Sequence, residues 1–179
     1  FIGQGIATCA WRRMTLTLQS FLAMLKAQRY LLIAARLRWR LMTKYILIDH
    51  TADIGIDVFG DSLQELFSHA AFALFDIITD LSRVEGKYEY KISVSGIDKE
   101  QLLVNWLSEL LYLHDVKNLL FNNFYVADIT DNQLNAIVRG EAFIENKHVI
   151  KTEMKAVTYH NLSIIQEDYH WKARVIFDL

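Results

Sequence analysis

The sequence predicts an α+β domain: a two-layer architecture of mostly antiparallel β-sheet with two main helices. Three features predict it. Two segments carry apolar residues at helical spacing, and each opens on a capping signal. Most of the remaining body alternates with a period of two between turn residues. Everything after Leu119 is strand-like, with no helix to carry a parallel crossover.

From Met42 onward the elements follow in order. Tyr45–Asp49 and Ile54–Phe59 are predicted strands. Ser62 can cap a helix and Glu65, three residues on, can reach back; Leu63, Phe67, Ala70, Leu74 and Ile77 give its stripe to about Ile78. Val84–Ser95 alternates as a strand, with Gly96 as the turn. Asp98 and Gln101 open the second helix, whose stripe is Leu103, Trp106, Leu110 and Leu113; the run His114–Asn118 ends it. The last predicted strands are Leu120–Ile129, Asn135–Glu141, Met154–His160, Leu162–Gln166 and His170–Phe177. Asp131-Asn132, Glu145-Asn146-Lys147 and Glu167-Asp168 are breaks.

Charge divides the chain. Seven of its 19 basic residues and none of its 21 acidic ones lie in residues 1–41, which leaves a net of −9 from Met42 onward. A body that acidic repels phosphate backbones, so direct nucleic-acid binding is not expected; cations and basic protein surfaces suit it better. Cys9 is the single cysteine, which rules out an intrachain disulfide or a thiolate metal cluster and fits a cytoplasmic setting.

Residues 1–41 read as a basic leader outside the folded domain, and 42–179 as the domain itself. Lys26 and Arg29 interrupt the apolar runs of the leader, so no uncharged stretch there is long enough to span a membrane. Arg29 and Arg36 share a helical face with Leu18, Leu25 and Leu32, which spoils an amphipathic helix. The leader is either an organelle transit peptide or upstream sequence ahead of an initiator at Met42, and the second reading is favoured.

Candidate chemistry collects in two strands. Asp53 and Asp57 share one parity of the Ile54–Phe59 strand and lean away from the core side. Two like charges on one face repel unless a cation or a basic side chain lies between them. Residue pattern alone favours a solvated strand face. In the last strand Trp171, Ala173, Val175 and Phe177 take the buried parity, while Lys172, Arg174, Ile176 and Asp178 take the other. If Leu179 is the natural terminus, its carboxylate lies one residue from the Asp178 side chain. Hard cations such as Ca²⁺ take six to eight oxygen ligands, main-chain carbonyls included, and Asp53, Asp178 and the Leu179 main chain would make a sensible partial set, although the sequence alone does not bring Asp53 and Asp178 together. A frayed, solvated end is the competing reading.

The histidines give a weak metal signal: His50, His148, His160 and His170 have neither the spacing nor the cysteine partners of a zinc site. His69 and His114 read as a helix face and a helix C-terminus. No G-x-S-x-G, phosphate-cradling glycine loop or dinucleotide fingerprint is present, so a self-sufficient catalytic apparatus is not expected.

Four runs in order resemble the archease family. They are Asp49-His50-Thr51-Ala52-Asp53-Ile54-Gly55-Ile56, Leu103–Tyr112, Glu153–His160 and Ala173–Leu179. The resemblance implies an accessory protein rather than an enzyme. Its partner would be an RtcB-type RNA ligase, whose guanylylation and multiple turnover it promotes in tRNA splicing or RNA repair. It also implies a divalent ion, here taken as calcium, held by Asp53, Asp178 and the terminal Leu179. Lys155 and His50 lie in family motifs and are candidate partner contacts; a surface lysine and a hydrogen-bonded structural histidine are the plain alternatives. Two rival functions remain: a chaperone-like modulator of a tRNA methyltransferase and, less favoured, a metal-dependent hydrolase.

The placement of the leader is testable. Deleting residues 1–41 is expected to leave the melting temperature within about 2 °C of the full chain. A larger drop would show that the leader docks on the core.

Overall fold

The computed structural model describes residues 21, 23–26, 43–49, 53–167 and 169–179. Contacts divide the chain into two units, Phe1–Met42 and Thr43–Leu179, and every strand and helix named here belongs to the second. The order is β1 (Tyr45–Asp49), β2 (Ile54–Gly60), α1 (Leu63–Ile78), a 3-10 turn at Leu81–Arg83, β3 (Tyr88–Ser95), α2 (Lys99–Lys117), β4 (Leu119–Ile129), β5 (Gln133–Ala142), β6 (Ala156–Glu167) and β7 (His170–Asp178). The strands form two antiparallel sheets, β1-β2-β7-β6 and β3-β5-β4. The predicted α+β class is the observed one.

Each helix packs on both sheets. α1 lies against β2 and β4, and α2 against β6 and β3. The core between them holds Phe67, Leu74 and Phe75 of α1, Leu103, Trp106 and Leu107 of α2, Ile56 and Val58 of β2, and Val175 and Phe177 of β7, all fully buried. Trp106 buries its one polar atom without loss, because Nε1–H donates to Phe67 O at 3.1 Å. No helix among the described residues is long and apolar enough to cross a membrane.

The two helix starts are built alike. Gly60 and Gly96 each stand two residues before the N-cap, Ser62 and Asp98. The cap side chains accept from Glu65 N and Gln101 N at 3.1 and 2.7 Å. Glu65 and Gln101 reach back in turn, to the amides of Asp61 and Ile97 at 2.7 and 2.9 Å. They reach one residue further than the usual capping box, and so hold the turn before the cap as well. Both glycines are needed for close approach: a Cβ at Gly60 would meet Leu66 N at 2.5 Å, and one at Gly96 would meet Leu102 N at 2.6 Å. The helix backbone therefore sits directly on the strand that leads into it. α2 ends at Asn118, which takes the left-handed conformation (φ 52°, ψ 43°) that asparagine tolerates.

Two strand predictions require correction. The predicted strand from Val84 begins only at Tyr88, because residues 81–83 form a 3-10 turn and the Glu85 amide is drawn to the Glu141 carboxylate at 2.7 Å. The two predicted strands Met154–His160 and Leu162–Gln166 are one strand, β6, which starts at Ala156. Its register on β7 slips between Thr158 and Ser163, and Asn161 takes a positive φ of 51° within that bulge.

Glu141 is the principal buried charge outside the β2–β7 pair. It is 2% exposed and accepts from Lys87 Nζ at 2.9 Å, Lys147 Nζ at 2.5 Å and Glu85 N at 2.7 Å. His148 completes the set: its Nδ1 accepts the Ile144 amide at 3.0 Å, which leaves Nε2–H to donate to Glu141 at 3.2 Å. Burial alone would raise the Glu141 carboxyl, but the bonds from Lys147, Lys87, Glu85 N and His148 outweigh it and hold the group well below the usual carboxylate range.

Two outcomes are expected. Gly96→Ala pushes a methyl group into the first turn of α2 and costs about 1–3 kcal/mol, as overpacked sites do; urea unfolding measures it. A carboxylate depressed in the folded state stabilises above its unfolded pKa, about 4.3 for glutamate, and that contribution is lost as pH falls. Stability therefore declines from about pH 5 downward, and Glu141→Gln flattens the decline while lowering stability at pH 7. An unchanged acid slope in the variant would show that other carboxylates carry it.

Candidate metal centre

β2 and β7 lie side by side at the middle of their sheet, and their register sets the site. Asp57 pairs with Arg174, Ile56 with Val175, Gly55 with Ile176 and Ile54 with Phe177. Paired residues of antiparallel strands project to the same face, so the acidic parity of β2 faces the basic parity of β7.

Asp57 is not on a solvated face. It is only 4% exposed, and the guanidinium of Arg174 grips it with two bonds, Nε to Oδ1 at 2.7 Å and Nη2 to Oδ2 at 2.9 Å. Lys172 Nζ adds a contact at 2.8 Å. Burial would raise the Asp57 carboxyl; the Arg174 and Lys172 bonds reverse that and leave it below its ordinary range. The repulsion expected between Asp53 and Asp57 is thus relieved at Asp57 by two basic side chains from β7. Ile176, expected on the polar face, is also buried at 1%. It stands beside Gly55, over whose Cα the Ile48 side chain of β1 closes, so this face has its own apolar patch.

One rung beyond Ile54–Phe177 come Asp53 and Asp178. Asp53 is half-buried and Asp178 exposed. The Asp178 carbonyl accepts the Lys155 amide at 2.9 Å, and Lys155 Nζ donates to the Leu179 main-chain oxygen. The topology therefore brings Asp53, Asp178, Leu179 and Lys155 to one end of the β2–β7 pair. His50 lies outside the described residues. Among the described residues no three His, Cys, Asp or Glu side chains are grouped to hold a metal, so any ion here draws on main-chain oxygen besides the two aspartates.

A cleft of about 440 Å³ opens beside Asp53, lined by Tyr45, Leu47, Ile54, Asp76, Ile77 and Lys151 among others. Tyr45 OH donates to Asp76 Oδ2 at 2.7 Å; burial first, and then this carboxylate, push the phenol above its usual range. A second cleft of about 500 Å³ adjoins Lys155 and includes His114 and Glu153. The five histidines among the described residues do not converge. His148 is tied to Glu141, His170 to Asp61 at 2.7 Å, His69 to Phe59 O at 2.6 Å and His114 to Leu119 O at 3.0 Å; His160 contacts Asn161 at 3.1 Å.

Sequence reasoning passed over two features, the double grip on Asp57 and the Glu141–His148 network. The first had a signal, since Lys172 and Arg174 are the two basic residues on the outward parity of the last strand. The second had none, because its members come from three separate segments, 85–87, 141 and 144–148.

Comparison with known proteins bears on the family and the fold. Residues 45–179 match the model of the Archease protein family. A protein archease of Pyrococcus furiosus is 44% identical over 136 residues, covering 73% of this chain and 95% of its own length. A protein archease of Methanosarcina mazei is 39% identical over 140 residues, covering 76% of this chain and 96% of its own. The solution structure of a Methanobacterium thermoautotrophicum protein superposes with a TM-score of 0.65 at 37% identity, over 77% of this chain and all of that one. A Thermotoga maritima crystal structure, described as an archease and possible chaperone, shares the fold with a TM-score of 0.51 at 23% identity, over 74% of this chain and 94% of that one. This chain belongs to the archease family.

Proposed function

We propose that the chain is an accessory protein that activates an RtcB-type RNA ligase, promoting its guanylylation and multiple turnover, and that it does so with a divalent ion, calcium, at the end of β2 and β7. The observation that supports this reading is the β2–β7 register: Ile54 pairs with Phe177, so Asp53 and Asp178 occupy the next rung, beside Leu179.

The donor set suits a hard cation. Two carboxylates and main-chain oxygens are the ligands calcium takes, with waters completing the shell. Lys155 Nζ, bonded to the Leu179 oxygen, already places one positive charge there, as an acidic cluster requires. Asp53, Asp178 and Leu179 would hold the ion, which when bound supplies a concentrated positive charge at this end of the sheet. Lys155 steadies the Leu179 main chain. Asp57, fully engaged by Arg174 and Lys172, keeps the two strands in register and stays out of the coordination. The body's net charge of −9 (12 basic against 21 acidic residues from Met42 on) suits docking on a basic protein surface and disfavours RNA.

Calcium at a hundredfold excess over its Kd is expected to stabilise the protein by about 2.7 kcal/mol, a rise of roughly 5–10 °C in Tm for a domain of this size. Asp53→Ala abolishes the rise; equal rises in both proteins would remove Asp53 from the site. The functional arm follows joined RNA over many turnovers with limiting ligase, GTP and a divalent ion. Wild type increases the turnovers and the guanylylated fraction of the ligase, and Asp178→Ala does neither while keeping its melting temperature in the absence of calcium. No acceleration by wild type would sink the ligase reading and favour the methyltransferase alternative. Full activation by a folded Asp178→Ala would detach the function from this acidic end.

A further inference from the structure

Four strands lie at sheet edges: β1 and β6 in one sheet, β3 and β4 in the other. An edge strand exposes unpaired amides and carbonyls, and proteins blunt such edges with charges, bulges or twists. Three of the four are blunted here. β6 is broken by its bulge between Thr158 and Ser163. β4 shifts register twice, between Phe121 and Asn123 and between Val126 and Asp128. β3 carries Glu89 and Lys91 along its length.

β1 is the shortest of the four and carries one charge, Asp49 at its end, but it has no bulge and no register shift. Its run Tyr45-Ile46-Leu47-Ile48 is uncharged and pairs with β2 without a shift. Ile46 is 40% exposed and Leu47 63%. The Phe59 amide donates to Lys44 O at 3.0 Å, which fixes the alternation. Residues 44, 46 and 48 bond to β2, so the main-chain groups of Tyr45 and Leu47 point outward from the sheet. No strand among the described residues lies beyond them.

A second observation lies on the inner side of the same edge. The 440 Å³ cleft is lined by Tyr45, Leu47, Ile54 and Ile77, with Asp53, Asp76 and Lys151 also at its surface. Tyr45 and Leu47 pair with Val58 and Ile56, so they share the inward parity. A strand added to β1 would turn every second side chain toward this cleft. A free edge with a pocket for alternate side chains is the arrangement used in recognition by strand addition.

We propose that β1 is a docking edge on which an extended segment of a basic partner protein adds as a fifth strand, with aliphatic side chains facing the cleft. Main-chain bonds to Tyr45 and Leu47 hold the segment in register. Tyr45, Leu47, Ile54 and Ile77 suit aliphatic side chains in the cleft, and the net charge of −9 from Met42 onward favours a basic segment over an acidic one. The same charge opposes pairing of two copies through β1.

The test uses the full-length chain and a capped nine-residue peptide of alternating valine and lysine, labelled for fluorescence anisotropy. Saturable binding is expected. It weakens at least tenfold with Leu47→Lys and when alternate peptide amides are N-methylated, and a valine–glutamate peptide binds at least tenfold more weakly. Leu47→Lys keeps its melting temperature because the side chain is mostly exposed. Chemical shifts of the Tyr45 and Leu47 amides move on binding in an isotope-labelled sample. Absence of binding, or binding that Leu47→Lys or N-methylation leaves unchanged, would overturn the docking edge. Equal affinity for the glutamate peptide would overturn the basic partner. Concentration-dependent self-association abolished by Leu47→Lys would assign the edge to a second copy instead.

Discussion

The pairing of β2 with β7 is the constraint on which the rest of the molecule depends. These strands are the two inner members of a four-stranded sheet, and they supply Ile56, Val58, Ala173, Val175 and Phe177 to the core. Their outer face is fixed by one buried carboxylate. Asp57 meets both Arg174 and Lys172, and a slip of one residue would turn every side chain to the wrong face while stranding that charge without partners. Removing one partner of a buried ion pair costs about 3–5 kcal/mol in favourable cases, so the pair is a strong device for choosing register. Whatever gathers at Asp53 and Asp178 follows from that choice.

The two helices tie this sheet to the other one. Each begins on a glycine that lets the helix backbone rest on its own incoming strand, and each is held by the same reciprocal cap. Because α1 and α2 both touch both sheets, the domain has one continuous core. The Glu141 network closes the far end, where β5 meets the turn at residues 145–147.

Local chemistry was legible in the sequence and distant chemistry was not. Ser62 with Glu65 and Asp98 with Gln101 announced both helices, because a cap is settled within a few residues. Alternation located the strands, including β7 almost to its ends. The burial of Asp57 could not be read, since it depends on a partner 117 positions away. The same holds for Ile176, which is covered only because Gly55 leaves room beside it for Ile48. The start of β3 was misjudged for a related reason: alternation from Val84 is real, but Glu85 is diverted to Glu141. The two short strands before β7 were one strand, because a bulge interrupts alternation without ending the pairing. Asp53 and Asp178 needed the family resemblance to be associated; Asp53 directly precedes β2 and Asp178 ends β7, one step past the Ile54–Phe177 pair.

The position of β7 has a consequence for how the chain comes to be folded. Its strand is made from residues 170–178, yet it lies inside its sheet, between β2 and β6. On a ribosome, β1 and β2 emerge early and find no neighbour on the β7 side. At roughly 5–20 residues per second, the interval between β2 and β7 lasts several seconds. During that time α1 and the sheet β3-β5-β4 can organise, while the inner edge of β2 stays open. Closure of the larger sheet is therefore a late, long-range event, of the kind that slows folding and exposes apolar strand edges to aggregation. Nascent-chain protection of β2 by a chaperone would matter more for this protein than for one whose sheet grows in the order of synthesis.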